Sequence, residues 1–399
     1  MQNEICCERR LMNMAEKLCV CAVCQNDEAF WCCDVIIGGL HRVDKFTGKI
    51  RCVVSPRQMY QEGFFSVRKL LCWRDKILIL PTELNRKWIV YDIATEKIRF
   101  IHPVSFPYFS EETIIVGTQA FCVPFVSDKP VLVLDMDTMQ CMARLDIFYE
   151  GEKTESPFEI WNASVLGNGI CFLMRDSNCL CRINGRDVKT IMLDIPETAG
   201  CADFYGDEGW VLTSGGTNLY RIDTDGKCLG RIPMKIRQEF VRLAATPRYI
   251  FLLPREGSTI SVYDQYMQCF KYINSDKPEV GHLLPEPLYV GAYWDYMISE
   301  NQIYFMQCKY ALLIVDLDTL EYRQRDLHYS ESFSKKNYWN YYWWIQQMYR
   351  KEFKEPMMYS LKGYLKMVTY NRAEACCDGV ENSKIWECLK GSVKYRMKK

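Results

Sequence analysis

The chain has 399 residues, with 50 Lys and Arg balanced by 50 Asp and Glu, 49% hydrophobic and 14% aromatic residues, and 21 cysteines. This is a globular composition able to bury a large core, which excludes collagenous, disordered and single-span membrane classes. A net charge of zero argues against a dedicated nucleic-acid binder, which normally carries a basic excess.

The first segment, 1–16, carries Glu4, Glu8 and Glu16 and lacks the uninterrupted apolar stretch of a secretory signal. No later run reaches the length that a bilayer demands. Both features predict a cytosolic protein without a membrane partner, in which the cysteines are thiols.

Cys21 and Cys24 form a C-x-x-C, with Cys32 and Cys33 close behind. Four thiolates suit zinc, yet no second C-x-x-C or His pair stands at the spacing of a structural zinc site. The alternative is packing, since a free Cys behaves as a small buried hydrophobe. Cys122 and Cys171 lie in apolar runs of that kind, and the expectation is core thiols, with no metal and no cofactor.

From residue 17 a repeat takes over. A β-branched or aromatic run ends in Asp or Asn and is followed by a turn, at Asp44, Asp92, Asp135, Asn184, Asp223, Asp264 and Asp316. The mean interval of about 45 residues suits four short strands with their turns, as in one propeller blade. Upstream of each landmark stands a second apolar run, such as Lys76–Pro81, Ala120–Pro124 or Tyr249–Pro254, preceded by a turn signal such as Arg74-Asp75 or Gly206-Asp207. First strands precede those turns, and fourth strands follow the landmarks. The recurring Asp is read as a turn staple, because its carboxylate accepts a backbone N–H two residues on.

After Asp326 the period stops. Residues 337–353 hold eight aromatics, among them Trp339, Trp343 and Trp344, and Pro356 ends the run. Aromatics at this density serve as core or interface anchors. The segments 359–370 and 381–390 read as helices. The chain therefore divides into an N-terminal segment (1–16), a repeat domain (17–328) and an α-helical, aromatic-rich C-terminal extension (329–399).

The run–Asp–turn–Lys strand ends resemble those of propellers in the broad YVTN, NHL and WD40-like group, over residues 17–328. There is no series of Trp-Asp dipeptides, and Gly38-Gly39 and Gly215-Gly216 are isolated pairs. The resemblance implies an all-β, seven-bladed β-propeller without specifying a family. Two ways of closing the ring are open: no exchange of strands, or an end segment that adds an edge strand.

Catalytic motifs are sparse. The four histidines, His41, His102, His282 and His328, are never closer than 46 residues, and there is neither a G-x-S-x-G elbow nor a phosphate loop. Propellers build sites at the central channel. Inter-strand loops place Glu83, Asn85, Arg86, Asp128, Arg175, Asp176, Arg255, Glu256 and Lys309 on one rim, and first strands bring Arg68, Glu112, Trp161, Arg242 and Trp294 to the channel mouth. Two functions fit. The first is a non-catalytic scaffold that docks a protein or peptide through a ring face and the aromatic segment. The second is a lyase or hydrolase acting on a small molecule, peptide or glycan at the channel. Propellers of the virginiamycin-lyase kind do such chemistry with channel histidines and a divalent metal, a histidine set that this sequence lacks. The binding reading is preferred.

Overall fold

The computed structural model describes residues 20–34, 39–61, 67–81, 87–106, 108–149, 152–153, 158–175, 177–236, 238–255, 257–274, 293–307 and 311–327. The expected N-terminal segment 1–16 and C-terminal extension lie outside the described residues. What is described is a seven-bladed β-propeller, each blade an antiparallel four-stranded sheet whose strands follow one another in chain order.

The innermost strands of blades 1 to 7 are Val20–Gln25, Val67–Trp73, Ser110–Val116, Ile160–Leu166, Ala199–Tyr205, Phe240–Ala245 and Tyr293–Ser299. The outermost are Ile50–Val54, Lys97–Ile101, Gln140–Leu145, Asp187–Met192, Cys228–Pro233, Cys269–Asn274 and Tyr322–Asp326. A short helix, Pro56–Gln61, and a two-residue hairpin, Phe148–Tyr149 with Glu152–Lys153, decorate the connections between blades.

The second strands explain the continuous apolar runs. Every residue of Ala29–Asp34, Gly169–Met174 and Tyr249–Pro254 is buried, because each sheet is covered on both faces by neighbouring blades. The strand period of two divides the side chains between those neighbours. In blade 3, Ala120 and Cys122 pack with Leu78, Leu80 and Trp88 of blade 2, while Phe121 and Val123 pack with Ile170 and Phe172 of blade 4. Each fully buried Phe of this kind contributes about 1.5–3 kcal/mol. Alternation of exposed and half-buried residues is confined to outer strands such as Cys228–Pro233, where only the perimeter meets water.

The landmark aspartates are the staples that turn chemistry predicts. Asp44 accepts the amides of Phe46 (3.0 Å) and Thr47 (2.7 Å), Asp135 that of Thr138 (2.7 Å), and Asp316 those of Asp318 and Thr319 (both 2.9 Å). Thr47, Thr95 and Thr138 add a hydroxyl hydrogen bond to the same carboxylate. These bonds to the charged form hold the carboxyls of Asp44, Asp92, Asp135 and Asp316 below the usual range.

Among the described residues no blade borrows a strand, since each four-stranded sheet is built from strands consecutive in the chain. The inner strand of blade 7 packs against that of blade 1. Gln25 Nε2 donates to the Ile298 carbonyl (2.8 Å), Arg325 donates to the Lys45 carbonyl (3.0 Å), and the rings of Phe30 and Tyr304 meet at 4.6 Å.

Candidate functional site at the central channel

The seven inner strands share a feature that no sequence period announces. Each shifts register against its second strand near its start, as between Val67 and Lys69, Ala199 and Cys201, and Phe240 and Arg242; the same shift stands in the other four blades. A bulge of this kind bends the strand and re-aims the next side chain.

Three of the re-aimed side chains meet. Glu112 of blade 3 lies 3.3 Å from the Arg242 guanidinium of blade 6, and its other oxygen lies 2.7 Å from Lys69 Nζ of blade 2. Blades 3 and 6 are three places apart on a ring of seven, so this contact spans the channel rather than a blade seam. The Glu112 side chain is 6% exposed, with Lys69 at 20% and Arg242 at 16%. A carboxylate buried this deeply between two cations is an internal brace of the ring, costly to leave with a partner removed.

A second carboxylate organises the channel further along the strands. Asp203 of blade 5 accepts hydrogen bonds from the Ser164 hydroxyl of blade 4, the Ala245 amide of blade 6 (2.8 Å), the Tyr296 hydroxyl of blade 7 (2.9 Å) and the Phe204 amide (2.9 Å). One side chain thereby links four consecutive blades. Burial pushes its carboxyl above the ordinary range, and the four donors offset part of that cost.

Of the channel residues expected from sequence, the structure brings Glu112 and Arg242 together. Arg68 sits at the bulge, half-buried, and its neighbour Lys69 makes the ion pair with Glu112 instead. Trp161 and Trp294 lie on the inner strands of blades 4 and 7, with side chains outside the described residues. Trp339, Trp343 and Trp344 lie outside them entirely. On the rim, Asp128 pairs with Lys129 in its own loop, while Arg175 pairs with Glu159 and Arg255 with Glu239, each across to the segment that precedes the first strand of the same blade. Glu83, Asn85, Arg86, Asp176, Glu256 and Lys309 are outside the described residues. Sequence reasoning missed Lys69, Ser164, Asp203 and Tyr296. The available signal was Asp203 itself, a charged residue set between Ala202 and Phe204 in a strand whose neighbours are buried.

Of the thirteen cysteines whose side chains are described, seven are buried and six are partly buried. Cys122, Cys171, Cys179, Cys181 and Cys201 are buried between blades, and desolvation pushes the thiols of Cys122, Cys171 and Cys201 up to about 12. Cys24, Cys32 and Cys72 approach one another at the seam of blades 1 and 2, and the Cys21 side chain is not among those described. No group of three or more metal-ligating side chains is gathered among the described residues, and none of their helices is long and apolar enough to cross a membrane. His41 is buried on the third strand of blade 1 and His102 lies exposed in the connection that follows blade 2.

No protein-family model matches the sequence, and no curated protein matches it. Similarity appears at the level of structure. Virginiamycin B lyase from Staphylococcus aureus superposes with a TM-score of 0.56 at 11% identity, covering 75% of this chain and 94% of that one. The WD40 propeller domain of Doa1 gives 0.52 at 11% identity, over 75% and 93%. PorZ of the Porphyromonas gingivalis type-IX secretion system gives 0.53 at 12% identity, over 78% of this chain but 39% of that chain. At 11–12% identity the shared property is the propeller fold alone.

Proposed function

We propose that the protein is a binding propeller, a rigid scaffold that docks a protein or peptide partner through a ring face together with its C-terminal aromatic segment. The observation that carries this reading is the use made of the channel carboxylates. Glu112 is engaged by Lys69 and Arg242, and Asp203 by four donors from four blades. Groups spent on bracing the ring leave recognition to its faces.

The competing reading is small-molecule turnover at the channel, for which the likeness to virginiamycin B lyase supplies a fold and no site. One experiment separates the two. Purified full-length protein is used to capture partners and, in parallel, incubated with cell extract whose metabolites and peptides are followed by mass spectrometry. Stoichiometric capture of one protein with no depleted small molecule supports docking. A turnover that vanishes in Glu112→Ala or Arg242→Ala, variants first shown to fold, overturns it.

A further inference from the structure

The neutral charge balance of the whole chain conceals an uneven distribution. One face of the ring is formed by the turns joining first to second and third to fourth strands, and all of these turns are described. They contain ten Asp and Glu against six Lys and Arg, and six third strands end on that face in a further Asp, so sixteen acidic residues stand against six basic ones. The outermost strands carry the opposite sign, with nine Lys and Arg against two Asp. The turn-bearing face is acidic and the perimeter basic.

On the same face stand the three most exposed large hydrophobic side chains among the described residues: Phe46 (84%), Tyr266 (72%) and Met267 (65%). They project from the third-to-fourth-strand turns of blades 1 and 6, flanking blade 7, whose own turns carry Glu300, Asp318 and Glu321. Their spacing is fixed. The Arg248 guanidinium lies over both Tyr249 (4.9 Å) and Tyr266 (5.6 Å) and donates to the Asp318 carbonyl (3.4 Å), tying blade 6 to blade 7. Arg325 ties blade 7 to the Lys45 turn next to Phe46. Exposed, pre-positioned Phe, Tyr and Met side chains are the residue types enriched at protein interfaces. The turns of blades 6, 7 and 1 around them carry Asp27, Glu28, Glu300, Asp318 and Glu321 against Lys45, Lys49 and Arg248, a net negative surface that favours a partner of opposite charge.

We propose that this face, over blades 6, 7 and 1, docks a Lys- and Arg-rich segment of a partner protein, its apolar side chains on Phe46, Tyr266 and Met267 and its cations against Glu300, Asp318 and Glu321. The inference rests on the docking reading above and names the surface and the partner's chemistry.

The test uses the full chain and two fluorescent peptides, one alternating Lys with Leu and its counterpart alternating Glu with Leu, followed by anisotropy. The Lys peptide is expected to bind about tenfold more tightly than the Glu peptide, with the preference weakening in high salt. Glu300→Lys with Glu321→Lys is expected to abolish that preference, and Phe46→Ala with Tyr266→Ala and Met267→Ala to weaken binding about tenfold. A variant of the opposite face, Phe109→Ala with Phe125→Ala, is expected to bind as wild type does. All substituted side chains are solvent-exposed, and circular dichroism checks that the ring is intact. Equal binding of both peptides, or Lys-peptide binding indifferent to the charge reversals, overturns the inference. A captured natural partner that binds the charge-reversed variant as well as wild type leaves the docking reading standing and removes this face from it. The absence of any partner removes both.

Discussion

Replacing Glu112 with Gln keeps the volume of the side chain and deletes the negative charge that braces the channel. At an effective dielectric of about 20, contacts of 2.7 and 3.3 Å represent gross attractions of about 6 and 5 kcal/mol. Desolvation of three charged groups offsets most of that in the wild type, but a variant that removes one partner keeps the desolvation and loses the attraction. Such truncations of buried pairs cost about 3–5 kcal/mol. For a ring of roughly 300 residues, with an unfolding entropy of about 2.1 cal/mol/K per residue, each kcal/mol corresponds to about 1.6 °C, so the expected fall in Tm is about 5–8 °C. Urea denaturation of wild type, Glu112→Gln, Arg242→Met and the double variant closes a cycle. The expected coupling between Glu112 and Arg242 is about 2 kcal/mol, since in the double variant one of the two stranded cations is gone as well. A loss below about 1 kcal/mol for Glu112→Gln, or additive single effects, refutes a cross-channel brace.

Three further predictions concern the same frame. Burial raises the Asp203 carboxyl above its ordinary 3.8, so from that pH upward to its raised value the folded chain retains a proton that the unfolded chain has released, and stability falls as pH rises through the window; Asp203→Asn removes this slope, so urea midpoints measured across pH must shift in favour of the variant as pH rises, and parallel curves would count against the assignment. A Cβ on Gly169 would stand 1.9 Å from the Ile183 carbonyl oxygen, so Gly169→Ala must push apart the second and third strands of blade 4 and is expected to cost about 3 kcal/mol or more, read by the same denaturation. Cys122, Cys171 and Cys201, buried and with thiols pushed up to about 12, are expected to resist iodoacetamide in the native protein at about pH 8 and to react fully in denaturant, as peptide mass spectrometry can show.

What was legible in the sequence was what depends on near neighbours. The blade count follows from Asp44, Asp92, Asp135 and their counterparts, because each carboxylate finds its N–H partners within the same turn. The buried second strands were legible because both of their faces are covered, leaving no polar alternation. The channel was only half legible. Glu112 and Arg242 stood out as charges on inner strands, but nothing local announces a partner 130 residues away. The bulge at Arg68 was invisible, because no Gly or Pro marks it, and that single residue of slip decides that Lys69 rather than Arg68 meets Glu112. The charge division between turns and perimeter could be read only once the topology had sorted residues into faces.

The seam between blades 7 and 1 bears on how the molecule is made. Because the four described strands of each sheet are consecutive in the chain, a blade can pair them as soon as it has left the ribosome. Its apolar faces stay partly uncovered until the next blade arrives, so assembly runs in the direction of synthesis. The Lys69–Glu112–Arg242 contact cannot form before blade 6 has been made, and the Phe30–Tyr304 contact forms last. A chain with only some of its blades made would leave one apolar flank open on blade 1 and another on the newest blade. A circular permutant cut between two blades keeps every sheet intact and only moves that vulnerable seam to a new place on the ring.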